Sequence, residues 1–354
     1  MKIAQIMPEF GLAGAEIMCE NLTYELRKAG HEVVVVSMYD YHSAITERLE
    51  QAGVEIRYLG KKPGMDPSMI GKMWKVFRET GVEVVHTHRY CAQYAMPAAM
   101  LAGVRHRVHT LHSVAPKENK KPARILSKFF YKYCHVIPVS LSGLVKESVV
   151  EEYKLAPGAI PMIFNGIDLS KCVPKEDYTR KGNFKILHIG RFSQEKNHVG
   201  LIEAFGKFHA NHPDSELWLV GDGKLRPEVE DFAKDWGLEQ AVKFLGLQSN
   251  VYGFMHDADV FALTSNYEGM PMTLIEAMGT GLPVVATRVG GIPDMLSDDT
   301  ALLVPVDMNA VADAFEKFYS DESLRRSCGL AAMARAEQFS AQTMAENYLK
   351  IYSI

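Results

Sequence analysis

Cysteine is scarce in this chain, and the few present do not pair. The five, Cys19, Cys91, Cys134, Cys172 and Cys328, are scattered, odd in number and without a Cys-x-x-Cys spacing. That pattern argues against a disulfide framework and a cysteine zinc site, and it fits a reducing cytosol. Long apolar runs are missing as well. None is long enough to span a bilayer, and Met1-Lys2-Ile3-Ala4-Gln5-Ile6-Met7-Pro8-Glu9 is too short for a signal peptide. The expected location is therefore cytoplasmic, with any membrane met on the inner face of the plasma membrane. Excess positive charge is lacking too: the formal net charge is −4, so nucleic acid is not an expected partner. There is no low-complexity segment and no short tandem repeat.

What is present is a regular alternation. The 354 residues are enough for two domains with full cores. Short apolar runs alternate with helical patterns throughout. The first set is 3–7, 33–37, 54–59, 82–86, 107–111, 136–139 and 160–164. The second is 184–189, 217–220, 242–245, 260–263, 284–286 and 301–304. Such alternation predicts α/β organisation, with parallel sheets covered by helices on both faces. Ala15, Met18, Cys19, Leu22 and Leu26 keep helical spacing up to Gly30. The polar, aperiodic stretch 169–183 reads as a linker between a first domain, 1–168, and a second, 184–340. Two roughly equal halves suit two facing Rossmann-like domains.

One segment carries most of the chemical information. Ser265-Asn266-Tyr267-Glu268-Gly269-Met270-Pro271-Met272-Thr273-Leu274-Ile275-Glu276-Ala277-Met278-Gly279 follows the buried strand 260–263. Pro271 suits the first position of a helix, and no Ser, Thr, Asp or Asn stands at 269 to 271 to cap it. The first amides of that helix, around Gly269, Met270, Pro271, Met272 and Thr273, are then open to an anion such as phosphate. Glu268 and Glu276 flank that site and are placed to accept hydrogen bonds from hydroxyls, as a sugar and a ribose offer.

The segment resembles the Glu-x7-Glu motif of retaining glycosyltransferases of GT-B architecture, family 4 in particular. Gly281-Leu282-Pro283-Val284-Val285-Ala286-Thr287 and Val289-Gly290-Gly291-Ile292-Pro293-Asp294 continue the likeness. The resemblance implies a GT-B fold with an interdomain cleft, and a hexosyl- or N-acetylhexosaminyl-transferase using a nucleotide-diphosphate sugar. A uridine nucleotide is preferred to a guanosine one, and retention is implied at the anomeric carbon. It places Glu268 on the donor sugar and Glu276 on the ribose. It also implies that the terminal stretch 341–354 returns to the first domain. The acceptor is a hydroxyl compound in surface polysaccharide or glycolipid synthesis. An epimerase on the same scaffold and a non-catalytic sugar-nucleotide sensor are the alternatives.

The phosphate end is read from the strand 184–189 and its loop. Arg191 and Lys196 lie beyond the strand's carboxyl end, where ligands bind in open α/β sheets. Fixed cations there stabilise a leaving diphosphate. The family holds its diphosphate this way without metal, so no metal and no cofactor are expected. Asn197 stands where the family usually has Gly and tolerates left-handed backbone angles. Gly11-Leu12-Ala13-Gly14 offers close backbone approach to phosphate, with Gly14 matching the family. Gly221-Asp222-Gly223 lacks the third glycine of a dinucleotide fingerprint and reads as a turn beside the nucleotide. Leu247, after the strand 242–245, is expected near the base.

In the first half, His112 matches the family's Thr-x-His, whose His contacts the donor sugar. It either holds a hydroxyl or carries charge near the phosphate. His86 and His88 are acceptor-side candidates or ordinary hydrogen-bonded groups. Glu16 is an acceptor-side candidate or an exposed first-turn acid favouring the helix dipole. The stretch from Lys117 to Lys132 holds six cations against the single acid Glu118. Leu126, Phe129, Phe130 and Tyr133 are expected to face the core. Arg124, Lys128 and Lys132 then form a basic face, resting on anionic lipid or solvated.

Overall fold

The computed structural model describes residues 1–11 and 14–353. The chain divides into two compact units, Met1–Ile167 with Ser340–Ile354, and Asp168–Phe339. Each is a six-stranded, all-parallel sheet. In the first unit the strands are β1 Lys2–Met7, β2 Glu32–Ser37, β3 Glu55–Tyr58, β4 Val84–His88, β5 His106–Leu111 and β6 Val136–Ser140, in the order β3-β2-β1-β4-β5-β6. In the second they are β7 Phe184–Ile189, β8 Ser215–Val220, β9 Val242–Gly246, β10 Val260–Leu263, β11 Val284–Thr287 and β12 Leu302–Val304, in the order β12-β11-β10-β7-β8-β9.

The strands are apolar on both faces because helices cover both. Ile3, Val33, Val84 and Val108 pack on Met18, Leu22 and Leu26 of the helix Gly14–Lys28. Ala4, Ile6, Val34 and Val36 face Met69, Met73 and Phe77 of the helix Ser68–Thr80. In the second unit Phe184, Ile186 and Leu217 pack on Leu201, Phe205 and Phe208 of the helix His198–His209. In both sheets the strand order reverses once, between β1 and β4 and between β7 and β10. A crevice at the carboxyl ends is the usual ligand position there.

Three expectations are corrected. No strand forms over 160–164: Pro161 lacks an N–H, and the segment makes only a bridge from Ser140 to Met162. The fourth strand runs Val84–His88 rather than 82–86, which carries His88 into the sheet. The stretch 169–183 is an integral part of the second unit rather than a linker. The Lys175 ammonium donates to the carbonyls of His256 and Ala258, and Tyr178 donates to the carbonyl of Gly281.

The terminal helix Ala341–Tyr352 belongs to the first unit, where Tyr348 and Tyr352 are fully buried. Gln5 Nε2 donates to the Tyr352 hydroxyl at 3.3 Å, and that hydroxyl is hydrogen-bonded to His86 Nδ1 at 2.6 Å. His86 Nε2 is hydrogen-bonded to Thr110 Oγ1 at 2.8 Å, and Thr110 meets the Tyr348 hydroxyl at 2.7 Å. Every polar atom of His86 is engaged, so its role is to anchor this helix, not to meet an acceptor. Tyr352→Phe should cost about 1–3 kcal/mol, because it strands a buried imidazole nitrogen. A urea denaturation midpoint equal to that of the wild type would contradict this account.

Candidate functional site

In the second unit, the loops after β7 and β10 meet at the point of strand reversal. Asn266 joins them: its N–H donates to the Glu195 carbonyl at 2.7 Å and its Nδ2 to the Gln194 carbonyl at 2.9 Å. Asn197 adopts the left-handed conformation (φ 52°) and caps the helix His198–His209 by accepting from the Gly200 N–H. Its side chain also donates to the Thr264 carbonyl at 3.3 Å. These contacts bring Lys196 Nζ to 2.6 Å from Glu268 Oε1, which also accepts from Ser265 Oγ at 2.5 Å. Glu268 is only 7% exposed, and Arg191 is exposed on the same loop as Lys196.

Behind Glu268 the loop after β11 presses close. The Gly291 N–H donates to the Glu268 carbonyl at 3.1 Å. Gly290 has φ 56°, and a Cβ there would stand 1.8 Å from that carbonyl oxygen. Gly221 (φ 134°) is under a similar constraint, since its Cβ would meet the Gly190 carbonyl at 2.0 Å. Its place in the fold is to let the loops after β7 and β8 touch. Leu247 follows β9 and is 79% exposed.

The segment Gly269–Pro271 leads into the helix Met272–Gly279. Pro271 is the residue before the first turn rather than its first member, and no side chain caps the helix, so Met272 and Thr273 open it uncapped. Glu276 lies within the helix, with the Tyr252 hydroxyl 3.5 Å from Oε1. Burial pushes its carboxyl up to about 7, against the opposing pull of Tyr252 and Lys171. Among the described residues, no group of three or more His, Cys, Asp and Glu is arranged to hold a metal ion. The chain's Asp-x-Asp spacing, Asp257-Ala258-Asp259, lies at the amino end of β10, where Asp259 accepts from the Lys185 N–H. It is remote from the carboxyl edge.

In the first unit, His88 and His112 come together at the carboxyl edge of β4 and β5. Gln5 Oε1 accepts from His88 Nε2 at 2.9 Å, which leaves His88 Nδ1 as an acceptor. His112 Nε2 therefore donates to His88 Nδ1 at 3.0 Å, and His112 Nδ1 keeps its lone pair. Burial lowers the His112 pKa to about 3, helped by His109 and Arg89. It is thus a neutral imidazole presenting an acceptor nitrogen, not a cation. His88 is fully buried and positions His112 rather than meeting a ligand. Glu16 is not an exposed acid: it is 2% exposed, and Arg89 Nη1 donates to its Oε1 at 2.8 Å. Gly14 opens the helix Gly14–Lys28; Leu12 and Ala13 of that turn lie outside the described residues.

The basic segment is a turn, Ala115–Glu118, and a helix, Lys121–Tyr133. Only Phe130 of the four expected core residues is buried. Leu126, Phe129 and Tyr133 are exposed, as is Ile125, because the helix lies at the surface of its unit with only one apolar edge covered. Arg124 is not part of a free basic face, since it pairs with Glu152 at 3.4 Å.

Sequence reasoning missed several partners. Ser265 stood in the Glu268 segment, three residues ahead, in position for a turn contact. Tyr252, Arg89 and Gln5 gave no local signal, since each meets its partner on an element distant in sequence.

This arrangement, two Rossmann-like units with a cation–carboxylate pair at a strand-reversal point, is that of a GT-B glycosyltransferase. Residues 12–171 match the family model "Glycosyltransferase Family 4", and residues 174–335 match "Glycosyl transferases group 1". The chain belongs to glycosyltransferase family 4. It is 28% identical to an N-acetyl-alpha-D-glucosaminyl L-malate synthase of Bacillus anthracis, over 96% of this chain and 94% of that protein. It is 29% identical to a UDP-Gal:alpha-D-GlcNAc-diphosphoundecaprenol alpha-1,3-galactosyltransferase of Escherichia coli, over 73% and 72%. The Anabaena protein HepE in complex with UDP-glucose has the same fold, with a TM-score of 0.83, 21% identity and coverage of 100% and 99%.

The Glu276 carboxyl generates a prediction about pH. Its pKa is raised from 4.5 to about 7, so between these values the folded protein holds a proton that the unfolded chain releases. Its contribution to stability is thus lost as pH rises through that window. Glu276→Gln should therefore gain stability relative to wild type from pH 5 to pH 8. A difference in melting temperature that stays flat over that range would refute the shift.

Proposed function

We propose that this enzyme transfers a sugar from a UDP-sugar to a hydroxyl acceptor, with retention of configuration, in the assembly of a surface polysaccharide or glycolipid. The observation that carries this reading is the Lys196–Glu268 pair at 2.6 Å, with Arg191 on the same loop and an uncapped helix start alongside. Arg191, Lys196 and the amides at Met272 and Thr273 supply positive charge for the diphosphate. The loop of Gly269, Met270 and Pro271 delivers those amides. Glu268 accepts from donor-sugar hydroxyls and Glu276 from the ribose. Leu247 offers an apolar surface to the base, and Gly221 keeps the adjoining loop close. His112 accepts a hydroxyl hydrogen bond through Nδ1.

In the family's same-face displacement, the acceptor oxygen bonds to the anomeric carbon as the bond to phosphate breaks. The acceptor proton passes to the leaving diphosphate. Charge stabilisation falls to Arg191 and Lys196, so no metal is called for. The uridine preference draws support from the E. coli relative, whose name specifies UDP-Gal.

UDP should raise the melting temperature by mass action. Arg191→Ala or Lys196→Ala should each lower turnover about 10²-fold, and activity should persist in excess chelator. NMR of the first product should show an α anomer from an α donor. A β product, or activity abolished by chelator and restored by Mg²⁺, would overturn the mechanism.

We also place the protein on the cytoplasmic face of a membrane. No helix among the described residues is long and apolar enough to cross one. The helix Lys121–Tyr133 is instead suited to lie on one. Lys121, Ile125, Lys128, Phe129, Lys132 and Tyr133 recur every three or four residues along one stripe, with Phe129 51% and Tyr133 71% exposed. Apolar side chains flanked by lysines match the acyl boundary and headgroups of an anionic bilayer. Phe129→Ser with Lys128→Gln and Lys132→Gln should abolish binding to phosphatidylglycerol vesicles. Wild-type binding should weaken with salt. Equally poor sedimentation of both proteins at low salt would remove this surface from consideration.

A further inference from the structure

The first unit contains a cavity of about 620 Å³ that the donor reading does not use. Its lining comes from the chain just past β2, β3, β4 and β5, so it sits at the carboxyl edge of the sheet. Tyr39, Tyr90 and Tyr94 contribute aromatic surface, and Lys120 stands at the rim. At its base is Lys61, only 7% exposed. The ammonium donates to the carbonyls of Lys62 and Gly64 and stands 5.2 Å from the Tyr39 ring and 5.8 Å from the Tyr94 ring. No carboxylate among the described residues forms an ion pair with it. The nearby Asp66 is spent on its own turn, accepting from the Lys62 N–H and from Ser68.

A buried cation without a counterion is costly, and two carbonyls leave one of its three N–H groups unassigned. Its position against tyrosine rings, inside a cavity, suits an anion attached to a ring that stacks on aromatic faces. Glu118 is the carboxyl in the lining. Its side chain accepts from the His112 N–H at 3.3 Å, and burial pushes its pKa up to about 7, so its negative charge is partly lost at neutral pH. That contact also ties the cavity to His112.

We propose that this cavity is the acceptor site and that the acceptor is a saccharide carrying a phosphate or diphosphate, held by Lys61 and Lys120. The proposal rests on the glycosyltransferase reading above. The same chemistry is presented by a soluble sugar phosphate and by a lipid-linked diphosphate. The cavity is continuous in sequence with the helix Lys121–Tyr133, since Lys120, Pro122 and Ala123 belong to its lining.

The test is calorimetry on the whole protein saturated with UDP, which occupies the donor site. Three probes are titrated: glucose, glucose 1-phosphate and geranyl diphosphate. Glucose 1-phosphate should bind at least about 10-fold more tightly than glucose, the value of one charge-assisted hydrogen bond. Lys61→Met should remove that advantage without changing UDP affinity. Lys61 is buried, so the exposed Lys120→Gln is a second variant that keeps the fold and should lose about threefold. Geranyl diphosphate binding more tightly than glucose 1-phosphate assigns the phosphate to a lipid carrier, and the reverse order assigns it to a soluble sugar phosphate. Equal affinity of wild type for glucose and glucose 1-phosphate would overturn the proposal. So would wild-type affinities in both variants. Failure of UDP to bind would count against the donor reading instead. The glucose comparison can then be made without UDP.

Discussion

The contact between Lys196 and Glu268 is the constraint on which the proposed donor site depends. A carboxylate that is largely buried needs a partner, and here it has both an ammonium and the Ser265 hydroxyl. To make that contact, two loops from strands adjacent in space but distant in sequence must be held together. Asn266 and Asn197 supply the cross-links, and Gly290 supplies the room behind. The site is thus built from backbone proximity, and its side chains are few.

The first unit uses a different device. Its polar groups form a chain through Gln5, His88 and His112, in which each hydrogen bond sets the tautomer of the next ring. Burial keeps the rings neutral, so the chain ends in an acceptor nitrogen. A second set through Tyr352, His86, Thr110 and Tyr348 attaches the terminal helix to the sheet. Fully satisfied networks of this kind specify one arrangement, since any misplaced member leaves a buried polar atom unpaired.

The two units also differ in what their surfaces expose. On the second unit, exposed large apolar side chains are isolated ones such as Leu247. On the first unit, the helix Lys121–Tyr133 exposes a row of aromatic and aliphatic side chains beside lysines. A buried, unpaired Lys61 lies in the cavity that adjoins this helix. Apolar exposure and uncompensated charge are both costly in an isolated protein, which is why the two together direct attention to what the first unit binds.

Sequence alone determined the fold class and picked out the residues proposed for the donor site. Parallel strands buried on both faces read as continuous apolar runs, so all twelve observed strands begin within two residues of the start of a run read from sequence. Glu268, Arg191 and Lys196 could be singled out because loop chemistry at strand ends is local: each sits a few residues past an apolar run, and Glu276 follows in the helix Met272–Gly279. Tertiary structure decided what depends on neighbours distant in sequence. The helix periodicity of Leu126, Phe129 and Tyr133 shows that they share a face with Phe130, but not whether the unit covers that face. The residue types of His86, His88 and Glu16 allow either a ligand contact or a buried bond, and only Tyr352, Gln5 and Arg89, arriving from elsewhere in the chain, settled which. The same holds for Lys61: nothing beside it in sequence marks a lysine as buried, because burial is a property of the packed elements and not of the segment that carries the charge.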